Sequence, residues 1–135
     1  MSNNPDSIRL AYRLLRGRGA PVVRIRLFHD SRQTEDFALV DSGAVYSIFD
    51  ASIADRLGID FKLGRRASVW GLGGHLVTIY LHPVGLVIGE LHIRAEIGFS
   101  DQLRIGFNLL GRHSIFNQLQ FCFNDRDGEL IVSRL

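Results

Sequence analysis

Phe37-Ala38-Leu39-Val40-Asp41-Ser42-Gly43-Ala44 is an apolar run with strand character that delivers one carboxylate onto a turn of very small residues. Gly43 admits backbone dihedrals that a β-carbon blocks, so main-chain amides can close in on Asp41. Ser42 adds a hydroxyl able to donate a hydrogen bond nearby. Asp-Ser-Gly is also ordinary turn chemistry, since Asp and Ser bond local backbone and Gly supplies positive φ. Context separates the two uses. Here the apolar lead-in and the Ser-Gly-Ala exit point to a buried, held acid.

Downstream, Val45-Tyr46-Ser47-Ile48-Phe49 reads as a continuing strand. Asp50 is placed to N-cap a short helix over 51–57, and Gly58 sits where a C-cap glycine belongs. Upstream, Val23-Arg24-Ile25-Arg26-Leu27 alternates strictly, giving a strand with one apolar and one cationic face. His29 to Gln33 reads as its turn. Residues 8–15 fit either an alternating strand or a short amphipathic helix, and Gly17-Arg18-Gly19 breaks them off.

The second informative stretch is Val69-Trp70-Gly71-Leu72-Gly73-Gly74, followed by alternation from His75 to Leu81. Glycines between two strand-like runs predict a hairpin with a mobile tip. A phosphate cradle would need a following helix pattern, and none is present. Strands follow at 84–88 and 91–97 around a tight Gly89-Glu90 turn. Phe107-Asn108-Leu109-Leu110 then runs into Gly111-Arg112, with a short helix expected over 114–119. Residues 121–123 and 130–132 close the chain as a hairpin around a turn ending in Gly128.

With 135 residues, 46% hydrophobic and 22% charged, the chain reads as one globular domain able to bury a core. Residues 1–20 are expected to form a basic N-terminal arm ahead of a domain spanning 21–135. Six arginines against Asp6 give residues 1–26 a local charge of +5, within a chain total of +2. That face is read as solvated; no interleaved aromatics suggest base stacking, so no nucleic-acid partner is expected. No apolar run is long enough to span a membrane. The N-terminus lacks the apolar core of a secretory signal, so the expected location is cytoplasmic. Cys122 reads as a buried packing residue. The five histidines show no metal-ligand spacing, so neither metal nor cofactor is expected. Ser42 and Ser47 lack a nucleophile elbow.

Taken together, Asp41-Ser42-Gly43-Ala44 after two apolar residues, Ser47 three residues past that Ala, the Gly71–Gly74 hairpin and Leu109-Leu110-Gly111-Arg112 make residues 22–132 resemble retroviral-type (retropepsin-like) aspartic proteases. The resemblance implies an all-β fold with one or two short helices, a closed barrel-like acid-protease subunit. It implies peptide-bond hydrolysis by two aspartates around one water. The chain has one such motif, so the second Asp41 would come from a second copy in a homodimer. Asp41, Ser42 and Gly43 would be catalytic. Ala44, Trp70, Gly71, Leu72, Gly73 and Gly74 would contact a peptide substrate, with Leu72 at the tip of a flap. Ser47, Gly111 and Arg112 would be structural support. Val45 and Tyr46 depart from the acidic residues that viral members often carry there, leaving Arg112 without its expected partner. A catalytically weak peptide-binding or dimerisation module is the alternative.

Overall fold

The computed structural model describes residues 6–71 and 74–135. Its strands are β1 (Ser7–Ala11), β2 (Arg13–Leu15), β3 (Arg18–Ala20), β4 (Val22–His29), β5 (Arg32–Val40), β6 (Ile48–Asp50), β7 (Arg65–Trp70), β8 (Leu76–Ile88), β9 (Leu91–Ser100), β10 (Asn108–Leu110), β11 (Leu119–Asn124) and β12 (Glu129–Arg134). One α-helix, α1 (Ala51–Arg56), and one 3-10 turn, Phe61–Leu63, complete the described elements.

Alternation in β4 builds the barrel. Val23, Ile25 and Leu27 are buried while Arg24 stays outside. Burial of each such aliphatic side chain stabilises the fold by about 1.5–3 kcal/mol. The large sheet runs β4-β5-β10-β6-β9-β8-β7, and β4 also pairs with β8. Six strands therefore close on themselves, with β7 carried outside on β8. Closure removes the open edges that invite aggregation. Phe49, Ile53, Leu86, Ile97 and Phe99 fill the interior. A second sheet, β1-β12-β11, sends Leu119, Leu130 and Val132 into the same core. The expected closed, mostly β architecture is what the chain adopts.

Several local expectations change. β8 is a single strand through Pro83, not two. The proline lies between the stretch paired with β7, which ends at Leu81, and the stretch paired with β4, which begins at Gly85. On that side a missing N–H forfeits no ladder bond. Residues 8–15 are strands because β12 and β3 offer partners. Ile8, Leu10 and Tyr12, in the segment expected to be an arm, pack against the core. The 114–119 helix does not form: Ser114 takes φ +59°, and the segment is a chain of turns. Cys122 lies on the exposed face of β11, because β11 turns Leu119 inward and alternation turns Cys122 out.

Asp50 does cap α1, its side chain accepting from Ser52 N at 3.0 Å, and Gly58 follows at φ +69°. Asp50→Ala is expected to lower stability by about 1 kcal/mol, read as a melting temperature lower by a few degrees. A melt matching the wild type would show that the cap contributes nothing.

Candidate active site

Asp41 stands where β5 leaves the barrel, directly after the buried Val40. Its N–H donates to the Leu110 carbonyl (2.9 Å), which fixes the departure point against the end of β10. The chain then turns tightly: Ala44 N–H donates to the Asp41 carbonyl (3.2 Å), and Gly43 N–H donates to Asp41 Oδ1 (2.9 Å). A β-carbon on residue 43 would sit 3.3 Å from that oxygen, so glycine is what lets the amide approach. Asp41 Oδ2 accepts no hydrogen bond among the described residues. Asp41 is half-buried, with Ser42 and Gly43 exposed beside it. One carboxylate oxygen is thus held and the other presented.

Of the strand expected over 45–49 only Ile48 and Phe49 form one, in β6; residues 42–47 are a loop, and the reason is physical. Its carbonyls are spent on the segment after β10 instead of on a ladder. Arg112 N–H donates to Ala44 O (2.9 Å) and His113 N–H to Val45 O (2.7 Å). The fully buried Ser47 accepts from Gly111 N–H through Oγ (2.9 Å). A β-carbon at Gly111 would press into the Tyr46 carbonyl group and lie 2.9 Å from Ala44 O. Asp41, Ala44, Ser47, Gly111 and Arg112 are therefore brought together as two strapped loops. Arg112 contributes its backbone; its side chain is exposed and has no ion-pair partner among the described residues.

Trp70 ends β7 opposite Leu76, and Gly71 N–H donates to His75 O (2.8 Å), closing the hairpin. Leu72 and Gly73, expected at its tip, lie outside the described residues; Gly74 takes φ +80°. Trp70 is 75% exposed and Val45 64% exposed. The hairpin stem and the Asp41 loop meet through Tyr46, which shares an apolar cluster with Val69, Val77 and the buried Ile79.

Two supporting residues, Asn108 and Glu96, escaped the reading of the sequence. Asn108 is buried in β10, donating to Phe37 O (2.9 Å) and accepting from Asp50 N–H (3.0 Å), so it ties β5 to β6. Its signal was a polar residue inside an apolar run. Glu96 Oε1 meets His113 Nε2 (2.9 Å) and Arg65 Nη2 (2.7 Å), joining β9, the turn after Gly111 and the base of the hairpin. Nothing in sequence spacing connects those three.

The His113 hydrogen bond, reinforced by Arg65 and opposed by partial burial, holds the Glu96 carboxyl below its ordinary value. A carboxyl lowered in the folded state stabilises it above the unfolded pKa, and that contribution is lost as pH falls through the lowered value. The melting-temperature difference between wild type and Glu96→Gln is therefore expected to shrink as pH falls below about 5. A difference that grows toward acid would contradict this.

Among the described residues no group of three His, Cys, Asp or Glu side chains is placed to hold a metal ion. Among the described residues no helix is long and apolar enough to cross a membrane.

No family model matches the sequence, and no curated protein matches it. Solved structures do. A retropepsin-like aspartic protease from Rickettsia conorii superposes with a TM-score of 0.65 at 19% identity, covering 93% of this chain and 97% of that one. EIAV protease, solved with the inhibitor HBY-793, superposes with a TM-score of 0.56 at 23% identity, covering 77% and 91%. The chain has the retropepsin-like acid-protease fold.

Proposed function

We propose that the protein is an aspartic endopeptidase that works as a homodimer, each subunit supplying its Asp41. The observation that carries this reading is the Asp41 turn, with one oxygen held by the Gly43 amide and the other presented. A carboxylate on an ordinary surface turn has no need of straps from Gly111, Arg112 and His113.

Two carboxyls around one water share a proton, because two adjacent anions are costly. The ionised Asp41 takes a proton from the water, which attacks the scissile carbonyl. The protonated Asp41 donates to the developing oxyanion. A proton then passes to the leaving amine as the C–N bond breaks. Ser42 and Gly43 shape the turn. The Trp70–Gly74 hairpin acts as a flap over an extended peptide, excluding water as it closes. Exposed Val45 and Trp70 are surfaces that a partner or substrate would cover. Ala44, beside the turn, is read as a contact for the peptide.

The test is digestion of a mixed peptide library from acid to neutral pH, with oligomeric state measured on the same samples. Cleavage by a dimer supports the reading. A dimer that binds peptides without cutting them replaces it with the binding-module alternative.

A further inference from the structure

Away from Asp41, the outer face of β4 and the segment joining β1 to β2 enclose a cleft of about 630 Å³, lined by Leu10, Tyr12, Arg13, Arg24, Arg26 and Glu35 among others. That volume is in the range of small-ligand sites. We propose that this cleft binds an acidic peptide segment, clamping its carboxylates with Arg13, Arg24 and Arg26.

The guanidiniums are held in an unusual way. Arg13 Cζ lies 4.8 Å and Arg24 Cζ 5.5 Å from the centre of one ring, Phe37, while Arg26 lies 5.6 Å from the Phe28 ring. Among the described residues none of the three forms an ion pair or hydrogen bond. A guanidinium resting on an aromatic face keeps its N–H fork free, and that fork matches a carboxylate bidentately. Against these three cations the cleft sets one carboxylate, Glu35, which faces Arg26 across the β4–β5 ladder without pairing to it. An unmet positive charge remains.

The apolar lining decides the ligand class. Leu10, Val22 and Val87 line the cleft with the arginines. A peptide mixing acidic and aliphatic side chains satisfies both surfaces. A nucleic acid would need an open aromatic face for its bases, and Phe37 is already taken by two guanidiniums. The site is independent of peptide cleavage. If the chain is a protease, it would hold an acidic part of a substrate outside the cleavage cleft.

The experiment is fluorescence anisotropy of a labelled peptide alternating Glu with Leu, titrated with the full chain. The Gln-for-Glu peptide and a single-stranded oligonucleotide of matched charge serve as comparators. The Glu peptide is expected to bind at least about tenfold more tightly than the Gln peptide, more weakly as salt rises. Arg13→Gln with Arg24→Gln is expected to weaken it at least about tenfold, and Arg13→Lys with Arg24→Lys about threefold through loss of the fork. The Lys pair keeps the charge and the alkyl cover on Phe37, so it reports even if the Gln pair fails to fold. Asp41→Asn should leave binding unchanged, which separates this site from the catalytic reading. Equal binding of the Gln peptide, indifference to both arginine pairs, or stronger binding of the oligonucleotide would overturn the proposal.

Discussion

Replacing Asp41 with Asn is expected to lower peptide cleavage by about 10²–10⁴-fold or more while leaving the fold intact. An amide can neither take a proton from the attacking water nor share one with its counterpart. It can still accept from the Gly43 amide through its carbonyl oxygen, so the 2.9 Å bond that shapes the turn survives. Asp41 N–H and its bond to Leu110 O are backbone groups and are untouched. The melting temperature should therefore match wild type to within about 0.5 kcal/mol of stability. Single-turnover cleavage beside a thermal melt makes the check. Retained cleavage in a folded variant would remove Asp41 from the mechanism.

Gly111→Ala carries the second large effect, and it works through position instead of chemistry. The added β-carbon meets main chain, 2.5 Å from Tyr46 C and 2.9 Å from Ala44 O. No rotamer can relieve a clash between backbones, so the two strapped loops must part. Parting them weakens the Gly111–Ser47 and Arg112–Ala44 bonds together. The expected cost is about 1–3 kcal/mol of stability. Because a shift of about 1 Å at a reacting group can cost about a hundredfold in rate, cleavage should fall further than stability alone explains. Melts and kcat measured on the still-folded fraction separate the two losses. A variant with wild-type melt and rate would show that the loops are not coupled as described.

Strand alternation was legible from the residues because β4 must put Val23, Ile25 and Leu27 on one face whatever its neighbours are. The α1 caps were legible for the same reason: Asp50 and Gly58 act within their own turn. The loop after Asp41 was not, since its partner is the Gly111 segment far along the chain, and Val45-Tyr46 has strand propensity that tertiary bonding overrides. The missing 114–119 helix has a similar origin. Ser114 Oγ accepts from Glu96 N–H at 2.7 Å, and that long-range bond accompanies a left-handed Ser114. Asp41, Ser47 and Gly111, which the fold brings together, could be singled out because each stands in a contiguous motif. Glu96 was missed because its partners Arg65 and His113 come from two other places in the chain. The cationic face of β4 was visible as a stripe, but only the fold sets Arg13 and Arg24 on a single ring.

If one active site needs Asp41 from two chains, mixing subunits exposes it. Wild type and Asp41→Asn would be equilibrated one to one at fixed total protein, and cleavage compared with wild type alone. If both aspartates are required, only wild-type pairs are active, and activity falls to about one quarter whether the dimer is tight or weak. Activity at about one half would mean that a single chain suffices and would exclude a site shared between two subunits.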